Sequence, residues 1–232
     1  MFFPIGFHYM DIFIFAAFGL SLWAQFRVKG TFNKWSKVQV STGITGYEAA
    51  RRMLDVNGLQ DVPIEPIRGA LTDHYDPIHR VVRLSEPVYY ESTISAVSVA
   101  CHEIGHAIQH QQRYPMLTLR HRMFPVASFA SGTAPLLIIA GLFFQQFSFL
   151  FGLGIIFFSA AVLFQVVTLP VEFNASSRAR DTMISEGYIS NNEERGAAKV
   201  LNAAALTYVA AALISVLELL KYILIFTGRN ND

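Results

Sequence analysis

Cysteine is nearly absent from this chain of 232 residues, and charged side chains are scarce. The single cysteine, Cys101, excludes an internal disulfide bond and leaves the redox compartment open. Charged residues make up 15% of the chain and hydrophobic residues 53%, whereas soluble domains contain about 25% charged residues. The composition therefore excludes an ordinary soluble domain and predicts that part of the chain lies in a lipid bilayer.

The chain also lacks a strong net charge, an internal repeat and a low-complexity tract. Its formal net charge is +1, from 18 basic and 17 acidic residues. A balance this close to neutral gives no electrostatic basis for binding nucleic acid or an acidic partner. The sequence therefore predicts no nucleic-acid partner.

Long apolar runs are what the chain has instead. A helix needs about 20 residues to cross the hydrocarbon core of a bilayer. Runs of that length predict a first transmembrane helix at 4–24, a transmembrane hairpin of helices 2 and 3 at 124–171, and a fourth transmembrane helix at 203–226, before a tail at 227–232. No basic segment precedes the first run, which favours a retained helix over a cleaved signal peptide.

The basic residues predict which way these helices cross the membrane. None of the 18 Lys and Arg residues precedes Arg27, and four of them fall within 27–37. The positive-inside rule then puts the N-terminus outside and the segment 27–123 in the cytoplasm. Because a hairpin returns the chain to the side it left, the segment 172–202 is also predicted to be cytoplasmic.

The segment 27–123 contains a pattern typical of a small α+β unit. A helix is predicted over 45–57, where Thr45 and Glu48 form a capping-box pattern. Short strands are predicted at 62–67 and 80–84, joined by a turn at 72–77. Such strands either hold an extended peptide by strand addition or only pack against a helix, and the sequence leaves both open. The predicted fold class is an α-helical integral membrane protein with about four transmembrane helices and this small cytoplasmic unit.

The strongest chemical signal is the pattern His-Glu-x-x-His. It runs from His102 through Glu103 to His106, behind a small apolar run typical of a buried helix. Residues i and i+4 of a helix share a face, so both imidazoles can bind one metal ion while the glutamate lies beside it. In zinc peptidases that glutamate is the general base, which makes the unit zincin-like. The alternative is that this short pattern occurs by chance in a helix that binds no metal.

Two histidines leave a catalytic zinc site one protein ligand short, because such sites use three. Glu172 is the leading candidate for the third ligand, since the hairpin returns it to the cytoplasmic side at the start of a predicted helical segment. The alternative is that Glu172 binds no metal and is only a carboxylate stabilised by the helix dipole at a helix N-terminus. His110 lies two turns after His102 and is the second candidate. The metzincin pattern fails, because the position six residues after His106 is Gln112.

Other residues are weaker candidates. Arg178 and Asp181 could orient the metal ligands, although surface charge explains them equally well. His74, Tyr75 or Arg178 could donate a hydrogen bond to the transition state, and the sequence does not choose among them. Cys101 adjoins a histidine ligand but points to a different helical face, so it is interpreted as a packed residue.

Several of these motifs together resemble a known family. Leu71–Pro77, Arg83–Ser85, Ala100–Gln109 and the Glu172 segment occur in the order found in the YugP-like family of bacterial neutral zinc metallopeptidases, and the match covers nearly the whole chain. The resemblance implies a zinc-dependent endopeptidase anchored in the bacterial inner (cell) membrane. The resemblance predicts zinc-dependent hydrolysis of peptide bonds and does not identify the physiological substrate.

A more distant resemblance concerns the third ligand. The segment 171–176 is similar to the third-ligand helix of integral-membrane gluzincins such as prenyl-protein endopeptidases and heat-shock membrane proteases. Those proteins usually have an aspartate four residues after the ligand glutamate, where this chain has Ser176. This difference is compatible with Glu172 as a ligand, but the chain lacks the carboxylate that usually orients the metal ligands in those proteins.

The functional prediction follows from these residues. One zinc ion per chain, held by His102, His106 and Glu172, activates a water molecule, and Glu103 acts as the general base for hydrolysis of a peptide bond. The predicted partners are the lipid bilayer and a peptide or protein substrate, membrane proteins included. A zinc-binding but catalytically silent scaffold or adaptor that binds peptides is the alternative. A metal or ion transporter is disfavoured, because its pathway would carry polar groups at membrane depth.

Overall fold

The computed structural model describes residues 8–229, so residues 4–7 of the first predicted span and residues 230–232 of the predicted tail lie outside it. Seven α-helices and three strands are present in the described part. The helices are α1 Met10–Trp35, α2 Gly46–Val56, α3 Glu86–Tyr90, α4 Ile94–Gln111, α5 Pro115–Phe143, α6 Ser148–Ser185 and α7 Asn191–Arg229. The strands are β1 Ile64–Ile67, β2 His74–Asp76 and β3 Val81–Ser85.

Four of these helices are long and apolar enough to cross a membrane. They are Met10–Trp35, Pro115–Phe143, Ser148–Ser185 and Asn191–Gly228. Parts of them form one compact unit of described residues 8–23, 119–169 and 207–229, the membrane unit. Large apolar side chains there point outward, among them Phe15, Phe129 and Ile156, as expected of residues that contact lipid. The predicted mainly helical fold with four candidate membrane spans is confirmed.

One ion pair lies within the membrane unit. The Lys221 ammonium group on α7 donates a hydrogen bond to the Asp11 carboxylate on α1. Lys221 also lies three residues after Glu218 on its own helix. A charge in an apolar surrounding needs a partner, and the partner here comes from a helix distant in sequence, which periodicity within one helix cannot reveal.

The second compact unit contains residues 24–118 and 170–206 and holds a hydrophobic core. Met53 and Leu54 of α2, Ile104 of α4 and Met183 of α6 are fully buried there. Thr45 begins α2 with the predicted capping box, because its side chain accepts from the Glu48 N–H while the Glu48 carboxylate accepts from the Thr45 N–H. The core fixes α4 and α6, the two helices that carry the candidate site.

The sheet of this unit differs from the predicted pair of strands. Its order is β1-β3-β2, with β1 parallel to β3 and β2 antiparallel to it, so a third strand lies in the predicted turn. Asp76 still makes the turn expected before proline, because its carboxylate accepts the N–H groups of Ile78 and His79. A strand of three residues is too short to give a periodic signal, and its pairing depends on contacts with distant residues.

Candidate metal centre

Helix α4 supplies the two histidines. Thr93 caps its N-terminus by accepting a hydrogen bond from the Ala96 N–H. His102 and His106 then lie one turn apart with their ring centroids 4.8 Å apart, and their side chains are mostly buried. The sequence spacing therefore produces the shared helical face that it predicts.

Close packing of α6 on α4 brings Glu172 to these histidines. Gly105 lies between them in sequence and faces the backbone of Ala175; a Cβ atom at Gly105 would lie 2.8 Å from the Ala175 carbonyl oxygen. Two helices can approach this closely only where one of them has no side chain. Glycine at this position thus sets the distance between the helix of the histidines and the helix of the glutamate.

The three side chains converge on one point. Glu172 Oε2 lies 3.4 Å from His102 Nε2 and 3.6 Å from His106 Nε2, and the three potential ligand atoms all lie within 4.8 Å of one another. Zinc bonds of about 2.0–2.1 Å in a tetrahedral arrangement separate ligand atoms by about 3.3 Å. Glu172 Oε2 is buried and has no hydrogen-bond partner in the described structure. A buried carboxylate oxygen without a partner, beside two imidazoles, fits a zinc site.

The electrostatics of the cluster favour a cation. Burial alone would raise the pKa of the Glu172 carboxyl, but the two imidazoles hold that pKa well below its usual range. Burial alone would lower the pKa of His106, but the Glu172 carboxylate raises it above its ordinary value. Glu172 therefore carries a negative charge in a site with little access to water, and either a protonated imidazole or a bound cation would neutralise it.

Both histidines have a hydrogen-bond partner on the ring nitrogen that faces away from the cluster. His106 Nδ1 lies 3.0 Å from Gln109 Oε1, and His102 Nδ1 lies 3.2 Å from Ser176 Oγ. Metal-binding histidines usually donate that second N–H to an oxygen, which fixes the ring and leaves Nε2 free for the metal. Ser176 thus occupies the place of the carboxylate whose absence the sequence indicates.

Glu103 lies beside the cluster and is nearly buried. Its Oε2 accepts a hydrogen bond of 3.0 Å from the Tyr75 N–H on the edge strand β2. The hydroxyl of Tyr75 lies 2.9 Å from His110 Nδ1. β2 therefore contacts α4 at two points, and one of them positions the carboxylate that the sequence predicts as the general base.

The remaining candidates have contacts outside the three converging atoms. His110 contacts Tyr75, and exposed His74 contacts the Thr72 carbonyl within its own loop. Arg178 donates from Nε to Asn174 Oδ1 at 2.8 Å, and exposed Asp181 lies 3.4 Å from Ser177 Oγ. Cys101 is fully buried, and burial raises the pKa of its thiol, as expected of a packed residue.

The sequence analysis missed Gln109 and Asn174. Gln109 is completely buried, and its amide nitrogen donates to the Val171 carbonyl at 2.8 Å and to Asn174 Oδ1 at 2.9 Å. A glutamine on a predicted buried helix face, three residues after a metal-ligand candidate, is the one local signal that could have identified it. Its partners are 62 and 65 residues away in the chain, beyond the reach of local patterns.

Comparison with known proteins places these residues in a wider set of sequences. The family described as "Putative neutral zinc metallopeptidase" matches residues 10–227 of the chain. "Putative membrane protease YugP" of Bacillus subtilis (strain 168) is 65% identical over 218 residues, which cover 94% of this chain and 96% of the relative. No solved structure matches the chain significantly. The similarity extends over nearly the full length of both chains, and the range matched by the family contains the positions of the converging cluster.

Proposed function

This chain belongs to the family described as "Putative neutral zinc metallopeptidase", and from that premise we propose that it is a membrane-embedded zinc-dependent endopeptidase. The observation that carries the proposal is the convergence of His102, His106 and Glu172 around one buried carboxylate oxygen that has no hydrogen-bond partner in the described structure. Two imidazoles and a carboxylate are the ligand set of many catalytic zinc sites. The substrate class is a peptide or protein, membrane proteins included.

We assign one zinc ion per chain to these three ligands. Zinc held there would supply a Lewis acid that polarises a carbonyl group and acidifies a water molecule. His102 and His106 would bind through Nε2, because their Nδ1 atoms face Ser176 and Gln109. Glu172 would bind through Oε2, the carboxylate oxygen that has no hydrogen-bond partner in the described structure.

Glu103 is the general base in this proposal. Its carboxylate removes a proton from the attacking water and then delivers that proton to the nitrogen of the leaving amine. The Tyr75 N–H holds one carboxylate oxygen in place, so the other oxygen remains for the water. The same contact restricts rotation of the side chain, which keeps the base in position between the two proton transfers.

Tyr75 is also the side chain that we favour for stabilising the transition state. A donor to the developing oxyanion is needed in acyl transfer. The Tyr75 hydroxyl belongs to the residue that positions Glu103, and His110 Nδ1 can donate to its oxygen, which frees the hydroxyl proton for the substrate. The other two candidates lack a hydrogen bond with Glu103 in the described structure. Arg178 donates from Nε to Asn174, and His74 is exposed.

Removal and return of zinc test the proposed function. Purified protein in detergent should cleave an unfolded protein such as casein, lose that cleavage with a zinc chelator, and regain it when zinc is added back. Cleavage is followed by gel electrophoresis, with the thermal unfolding of each sample as the control for folding. A protein that binds zinc but cleaves no unfolded substrate would contradict the peptidase and favour the silent scaffold or adaptor.

We further propose that the site faces the cytoplasm of a bacterial cell, with the chain in its inner (cell) membrane. Basic residues within 27–37 support this orientation by the positive-inside rule. Lys37→Cys should therefore react with a membrane-impermeant maleimide only after cells are permeabilised, whereas Gln146→Cys, between α5 and α6, should react in intact cells. Cys101 is fully buried, so the unmodified chain is the unlabelled control. The reverse labelling pattern would place the site outside the cytoplasm.

A further inference from the structure

Gln109 connects the two halves of the metal centre through a single buried amide. Its oxygen faces His106 Nδ1 on its own helix, α4. Its nitrogen donates two hydrogen bonds to α6, one to the Val171 carbonyl and one to Asn174 Oδ1. Val171 and Asn174 flank Glu172 in the sequence, so one side chain contacts both the helix of the histidines and the segment of the glutamate.

The groups around the amide fix its orientation. His106 Nδ1–H can only donate once Nε2 is free for a metal, so it requires the amide oxygen. The Val171 carbonyl can only accept, and Asn174 Oδ1 accepts a second hydrogen bond from Arg178 Nε. A flipped amide would face two acceptors with its oxygen and one donor with its nitrogen. The surroundings therefore determine which way the amide points.

We propose that Gln109 is a positioning residue for zinc binding, because it fixes the ring of His106 and the start of the Glu172 segment relative to each other. The proposal rests on the zinc site of the proposed function and extends it to a residue that touches neither metal nor substrate. A buried amide is costly unless its hydrogen bonds are made, and Gln109 makes all three of its hydrogen bonds with His106 and the Glu172 segment.

Replacement of Gln109 separates positioning from general stability. Gln109→Met keeps the approximate volume and removes all three hydrogen bonds, and we expect zinc binding to weaken by about 10–100-fold. Asn174→Ala removes only one of the partners on α6 and should weaken zinc binding less. Ser95→Ala is the matched control, because Ser95 is completely buried on the same helix and donates to the Phe32 carbonyl far from the cluster in sequence.

The measurement is the zinc dissociation constant of each metal-free protein, obtained by competition with a chromophoric chelator. The absorption spectrum of the cobalt-substituted protein and the melting temperature without metal are recorded alongside. For Gln109→Met we expect a larger zinc dissociation constant and an altered cobalt spectrum. For Ser95→Ala we expect a lower melting temperature and an unchanged zinc dissociation constant. If Gln109→Met fails to fold, Asn174→Ala carries the test by the same two readouts.

Two results would overturn the inference, and they differ from a failure of the proposed function. Equal zinc affinity and an unchanged cobalt spectrum in both Gln109→Met and Asn174→Ala would show that the amide is only a packing feature. An equal loss of affinity in Ser95→Ala would show that any buried defect in α4 weakens binding. Absence of zinc binding in the unmodified protein would instead remove the proposed zinc site itself.

Discussion

Glu103→Gln should reduce peptide-bond hydrolysis by at least about 10²–10⁴-fold while zinc stays bound, because the amide cannot accept a proton from water. The replacement keeps the size of the side chain and an oxygen that can accept the Tyr75 N–H. The three residues proposed to bind zinc are unchanged. The expected result is therefore a loss in the turnover number without a loss of metal, measured on casein and by elemental analysis of the same sample.

Glu91→Gln is the matched control for that experiment. Glu91 is exposed and lies in the same unit just before α4, so the same chemical change is made away from the cluster. Its activity should equal that of the unmodified protein. Full activity of Glu103→Gln would contradict the general-base mechanism, and loss of its zinc would mean that the side chain supports the site instead of acting in catalysis.

Local patterns in the sequence predicted those parts of the molecule that local forces determine. The capping box at Thr45 and Glu48 and the four apolar spans are confirmed, because each depends on residues close together in the chain. The metallopeptidase family is confirmed by the comparisons. The ligand set of His102, His106 and Glu172 stays a prediction, although the structure brings its atoms together.

Contacts between distant segments could not be read from the same patterns. Strand β2 forms in a predicted turn because β3 pairs with it and because Glu103 accepts the Tyr75 N–H from 28 residues away. The approach of α4 to α6 depends on Gly105 meeting the backbone of Ala175. Ser176 contacts His102 across 74 residues, and the resemblance placed this serine where an aspartate is usual without predicting the contact. Each of these contacts follows from tertiary packing.

Glu172→Ala should remove most of the bound zinc. The substitution leaves two imidazoles on one helix, and two protein ligands are one fewer than catalytic zinc sites use. Other acidic groups nearby are already engaged: the Asp73 carboxylate accepts from the Ser85 N–H and hydroxyl, and Asp76 pairs with Arg83. Either aspartate would have to break that contact to replace the lost carboxylate. Glu186→Ala, an exposed acid just after α6, is the matched control.

Zinc content by elemental analysis of the unmodified protein and Glu172→Ala, purified side by side in the same detergent, tests the proposed three-ligand site most directly. We expect about one zinc per chain in the unmodified protein and in Glu186→Ala, and roughly a tenth of that or less in Glu172→Ala. Retention of zinc by Glu172→Ala would place the third ligand elsewhere, with His110 or the Asp73–Asp76 segment next to be tested. Absence of zinc from the unmodified protein would contradict the site altogether.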